Sequence, residues 1–176
     1  MGCDIHLFLE KRLRKEDPWE LDENHTVTSE DGGEDYKYLE QVSATGRNYS
    51  LFYILADVRG YGEPALRKPK GVPQDMSGLL RWEYDRNVDG HSHSWLSLEE
   101  FKQCLVEADY NFKNNKSTDA FYNWNDYFGG KGNRPPDYTT IVNYCEEWID
   151  NEKAEAMLLN RSDIDPEVRV IFWFDN

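Results

Sequence analysis

Apolar and polar positions fall into different patterns at the ends of the chain and in its middle. Asp4-Ile5-His6-Leu7-Phe8-Leu9-Glu10 and Val168-Arg169-Val170-Ile171-Phe172-Trp173-Phe174-Asp175 are short runs rich in β-branched and aromatic residues. Both predict strands, the first over residues 4–13. Their apolar character on both faces suits burial on both sides, so the two are expected to pair at the centre of a sheet. Shorter strands are expected around Trp19–Asp22 and over Lys37–Val42. Between these, residues 23–34 are acidic and glycine-bearing and read as a mobile loop.

The middle of the chain shows helical spacing. Leu51, Phe52, Ile54, Leu55 and Val58 follow Asn48 and Ser50, either of which would cap a helix. A second helix is expected over Gly78–Arg86 behind Asp75 or Ser77. Ser97-Leu98-Glu99-Glu100 has the form of a capping box opening a third. Pro136 starts the longest, which carries Ile141, Trp148 and Ala156 to about Leu159. Residues 109–137 have no sustained period and read as a long aromatic loop of the kind that is often functional. Strands at both ends with three to four helices between them give an α+β domain, single over residues 1–176.

Bulk properties narrow the function. At 176 residues, one real core is expected and two are not. A net charge of −14 excludes duplex or membrane binding through a broad basic face. It leaves open an ordinary soluble protein, or an acidic mimic of nucleic acid that occupies a basic partner. Three cysteines, Cys3, Cys104 and Cys145, form no disulfide framework and suit a reducing compartment. Cys104 and Cys145 are expected to be buried, and Cys3 to point away from Asp4 and His6. No membrane span or signal segment is visible, so a cytoplasmic location is expected.

The candidate chemistry lies in two short motifs. Asp4 and His6 would project from one side of a strand, since side chains alternate faces. Asp89-Gly90-His91-Ser92-His93-Ser94 reads as a loop with two imidazoles, drawn onto the core by Trp95 and Leu96. Were these brought together with Asp175, then Asp4, His6, His91, His93 and Asp175 would form a carboxylate–imidazole set suited to zinc, manganese or iron. Such a metal lowers the pKa of bound water toward roughly 7. In that reading Asp4, His91 and His93 are catalytic. The alternative is that Asp4 pairs with an arginine, that His6 is a satisfied sheet histidine, and that His91 and His93 belong to a polar turn.

Phosphate would need cations, for which Arg47, Arg59 and Arg169 are candidates, with Arg67, Lys68 and Lys70 as a small basic loop. A salt bridge from Arg169 to Asp4 or Glu10 is an equal alternative. Trp124 and Tyr127, in the aromatic loop, are candidates to stack a base. Ser92 and Ser94 flank the histidines, but sequence adjacency says little about a triad, which is assembled by geometry.

Asp4-Ile5-His6 and Gly90-His91-Ser92-His93 resemble pieces of the binuclear metallophosphoesterases. That superfamily's intervening Gly-Asp and Gly-Asn-His motifs are absent, so the likeness carries over ligand logic and not the fold. More of the chain resembles a family of small bacteriophage and prophage proteins. The blocks are Met1-Gly2-Cys3-Asp4-Ile5-His6, Arg47-Asn48-Tyr49, Gly71-Val72-Pro73, His91-Ser92-His93-Ser94-Trp95-Leu96 and Phe172-Trp173-Phe174-Asp175-Asn176. This resemblance implies a phage setting, where proteins of this size often counter host defence. The leading expectation is a metal-assisted, phosphodiesterase-like hydrolase of a small nucleotide. The others are a protein that sequesters such a nucleotide and an acidic inhibitor of a basic host protein. A pocket shared in a homo-oligomer is a further expectation.

Overall fold

The computed structural model describes residues 3–29, 37–39, 49–59, 67–113 and 137–175. Within them the strands are β1 (Asp4–Arg12), β2 (Glu20–Leu21), β3 (Val27–Ser29), β4 (Lys37–Leu39), β5 (His91–Ser97) and β6 (Glu167–Asp175). The helices are α1 (Tyr49–Ala56), α2 (Gly78–Arg86), α3 (Leu98–Lys113) and α4 (Asp137–Leu158). β1, β2, β5 and β6 form an antiparallel sheet in the order β2-β1-β6-β5, and β3 pairs with β4 separately. The fold is α+β, with the terminal strands paired at the sheet's centre. No helix among the described residues is long and apolar enough to cross a membrane.

Register on β6 explains why both terminal runs are apolar on both faces. Asp4 lies opposite Asp175, His6 opposite Trp173, Phe8 opposite Ile171 and Glu10 opposite Arg169. Odd residues of β1 (Ile5, Leu7, Leu9) and even residues of β6 (Val168, Val170, Phe172, Phe174) face a large core with Phe52, Phe101, Ile141 and Cys145. The other face carries Phe8, Ile171 and Trp173 against Leu39, Met76 and Leu80. That second face is apolar only in the middle. One end carries His6 and Asp175, and the other carries Glu10 and Arg169.

Several local expectations held and several did not. The capping box forms: Ser97 Oγ accepts the Glu100 N–H at 3.2 Å, and Glu100 Oε2 accepts the Ser97 N–H at 2.9 Å. α3 nevertheless runs to Lys113, into the stretch read as loop, because a capped helix with a buried stripe propagates readily. Segment 114–136 lies outside the described residues. β3 falls inside the stretch 23–34 read as loop, where Val27–Ser29 pairs with Lys37–Leu39. Ser77 occupies the N-cap position of α2 without a side-chain cap bond, and its backbone N–H donates to Glu10 Oε1 at 2.7 Å. The largest correction is at His91. The stretch read as a loop there is the start of β5, an edge strand whose polar side chains mask the period-two pattern.

The fourth histidine is structural. Buried His25 accepts the Leu9 N–H on Nε2 at 3.0 Å. Nearby, Tyr144 Oη joins Lys11 and Asp22, accepting from Lys11 Nζ at 2.8 Å and donating to Asp22 Oδ2 at 2.8 Å. Burial works against the Asp22 carboxylate. The bonds from Lys11, Tyr144 and the Asn24 N–H overcome that and hold its pKa below the usual range.

Candidate functional site

Pairing of the chain ends puts His6 and Asp175 on one face, two residues out of register, as diagonal neighbours. His6 Nε2 donates to Asp175 Oδ2 at 2.9 Å, with side chains 24% and 36% exposed. A carboxylate on Nε2 leaves Nδ1 as the basic nitrogen of the neutral ring. Beneath the pair lies Trp173, whose indole stacks on the His6 ring at 5.9 Å and 18°. Asp4, exposed at the strand's first position, faces Asp175 across the ladder.

The sheet's third contributor is β5, and a bulge determines what it delivers. His91 pairs with Phe174 and Ser94 with Phe172, so β5 holds one extra residue between them. Ser92 takes up the extra residue with φ +52°, a conformation rare outside glycine. As a result His91 and His93 do not share a face as an unbroken strand would require. The His91 ring lies 6.2 Å from that of Phe174, itself a residue of the helix-covered core. The His93 ring lies 5.9 Å from Trp173, on the face of the dyad, with Tyr84 edge-on at 5.0 Å. Trp173 is thus flanked by His6 from β1 and His93 from β5. Sequence reasoning missed its place because that requires the register of both neighbours.

Among the described residues three ring nitrogens are enclosed and lack a hydrogen-bond partner: His91 Nε2, His93 Nε2 and Trp173 Nε1. Buried polar atoms are rarely left so. Burial, and then the neighbouring His91, pushes the His93 pKa below the ordinary imidazole range of about 6.5. The unfolded chain therefore takes up a proton near pH 6.5 that the folded chain refuses, and stability falls as pH drops below that point. Urea midpoints are expected to be flat from pH 8 to 7 and to decline below about 6.5, less steeply in His93→Gln. Equal declines in both proteins would remove His93 as the cause.

Gly90 is fixed by crowding. A Cβ there would sit 2.9 Å from Asn87 Oδ1, 3.0 Å from His93 Nε2 and 3.2 Å from Trp173 Cδ1. Since Trp173 is fully buried, Gly90→Ala should cost about 1–3 kcal/mol by overpacking. It should also displace the His93 resonances in a proton–nitrogen correlation spectrum. An unchanged urea midpoint and an unchanged His93 signal would contradict this packing.

Cations sort differently from the expectation. Arg59 follows α1 in a left-handed turn, with Asp57 at φ +59° and Arg59 at φ +64°. Burial raises the Cys3 thiol pKa. The Arg59 guanidinium beside it opposes that rise, and Asp175 and Asp4 add to it. Arg59 therefore stands with Cys3, Asp4 and Asp175 at the dyad's end of the sheet. Cys3 is buried while Asp4 is exposed, as the strand alternation requires.

Arg169 belongs elsewhere. It lies six residues from Asp175 along β6, roughly 20 Å away. Its Nε donates to Glu10 Oε2 at 2.8 Å, its Nη1 to Asp75 Oδ1 at 2.8 Å and its Nη2 to the Asp75 carbonyl at 3.1 Å. The salt-bridge alternative for Arg169 is the one the fold adopts, with Glu10 as partner. Arg67 is bound by Glu107 and Lys70 by Glu100. Arg47, Trp124 and Tyr127 lie outside the described residues. Ser94 accepts the Lys70 N–H on Oγ at 3.1 Å, and Ser92 Oγ sits 3.0 Å from His91 Nδ1. Cys104 and Cys145 are buried, and burial pushes their thiols up to about 11 and about 12.

The metal set fares less well than the dyad. His6 and Asp175 meet, but the bulge sends His91 toward Phe174. Among the described residues no three His, Cys, Asp or Glu side chains converge to hold an ion. No protein-family model, no curated protein and no solved structure matches the chain.

Proposed function

We propose that the chain is a hydrolase of phosphoester bonds in a small nucleotide-type substrate, with the His6–Asp175 pair as its reactive centre. The observation that carries the reading is the 2.9 Å contact between His6 Nε2 and Asp175 Oδ2, half-open to solvent at the junction of the terminal strands. Asp175 holds the ring by its Nε2, so His6 Nδ1 would take the proton from an attacking water. Arg59 would offset the negative charge that grows on the phosphoryl oxygens. His93 has an enclosed Nε2, which makes it a wall of the site and His6 the better base. No step is routed through a metal.

The nucleotide class rests on the resemblance of the opening hexapeptide and the His91–Leu96 block to phage proteins. It would make the protein a counter-defence factor acting in the host cytoplasm. One observation favours a second reading, in which the protein sequesters the nucleotide intact. The unpartnered nitrogens of His93 and Trp173, on the face of the dyad, would then find their partners on a bound ligand. Incubation with a cyclic dinucleotide followed by heat denaturation separates the two. A hydrolase releases linear or cleaved product, whereas a sequestering protein releases the ligand unchanged.

A further inference from the structure

At the Arg169 end of the sheet lies a groove of about 520 Å³, walled by Trp19 and Trp95 and floored by Pro73, Leu98 and Val168. It is roughly 20 Å from the His6–Asp175 pair and uses none of the same residues. The tryptophans there already carry cations. The guanidiniums of Arg12 and Arg169 lie 4.3 and 4.2 Å from the Trp19 ring centre, and the Lys70 ammonium lies 4.4 Å from that of Trp95. Each of those cations is held by acids of the same chain: Arg12 by Glu167, Arg169 by Glu10 and Asp75, and Lys70 by Glu100.

The rim acids have capacity to spare. The Glu99 side chain is 85% exposed, with a loose 3.4 Å contact to Lys102. The Asp75 side chain is 64% exposed and gives one carboxylate oxygen to Arg169. Among the lining residues carboxylates outnumber cations, and the whole chain carries a charge of −14. A sugar would need an open indole face, and Trp19 already carries two guanidiniums. A basic side chain needs only an apolar edge for its stem and a carboxylate for its head.

We propose that this groove docks an extended, arginine-bearing segment of a basic partner protein, the guanidinium meeting Glu99 and Asp75 while its stem lies along Trp95 and Trp19. Half-buried tryptophans beside exposed acids make the anchor, and the chain's overall charge steers a cationic partner toward it. The proposal is independent of the hydrolase reading.

The test uses the full chain labelled with nitrogen-15 and the peptide acetyl-Arg-Pro-Arg-Pro-Arg-amide. The indole N–H signals of Trp19 and Trp95 should shift saturably. The affinity should weaken about threefold to tenfold in Glu99→Gln, whose exposed side chain leaves the fold intact, and further on adding salt. Shifts spread over the acidic surface without saturation would overturn the proposal. So would equal affinity for Glu99→Gln, or a preference of the two indoles for the glutamate version of the peptide or for a chitin trisaccharide.

Discussion

Arg169→Met is expected to lower the stability of the chain by about 3–5 kcal/mol, the cost of leaving a buried charge without its partner. Glu10 is fully buried, and Arg169 is 3% exposed. One Glu10 oxygen takes the Ser77 N–H at 2.7 Å, and the other takes Arg169 Nε at 2.8 Å. Methionine fills the aliphatic space but supplies no donor, so the Glu10 carboxylate would be stranded between β1 and β6. The Asp75 contacts that anchor the start of α2 would go with it. The double variant Glu10→Gln with Arg169→Met should recover a large part of the loss, because it removes the orphaned charge. Urea unfolding at pH 7 measures both. A loss below about 1 kcal/mol in the single variant would mean the pair is solvated. Phosphoester turnover measured on the folded fraction should be unchanged, since Arg169 stands at the opposite end of the sheet from the dyad.

His6→Gln is expected to do the reverse. Glutamine keeps a donor toward Asp175 and supplies no basic nitrogen. Turnover should fall about 10²- to 10⁴-fold, the usual contribution of a general base. Stability should move by about 1 kcal/mol or less, as for a half-exposed polar contact. Asp175→Asn should reduce turnover while leaving substrate affinity near its original value, since Asp175 acts by orienting His6. A His6→Gln protein with full activity would transfer the base role to another group.

The fold was legible because its two main signals were strong. The apolar runs at 7–9 and 170–174 announce central strands, and the capping box at Ser97 announces α3. The site was half legible. Asp4 and His6 alternate on one strand, and Asp175 closes another, so terminal pairing alone brings these three to one end. The fate of His91 and His93 depended on the bulge at Ser92, a backbone event that residue types do not encode beyond a nearby glycine. The role of Trp173 required register on both sides of β6. Arg169 reads as a phosphate ligand or as a salt bridge with equal ease until Glu10 is known to lie opposite it.

Phosphorus NMR of a cyclic dinucleotide incubated with the full chain, wild type beside His6→Gln, addresses the reactive pair directly. The account predicts new phosphomonoester or linear phosphodiester signals with wild type, and their loss in the variant under conditions where both proteins remain folded. Equal conversion by the two proteins, or a substrate bound and released unchanged by wild type, would contradict it.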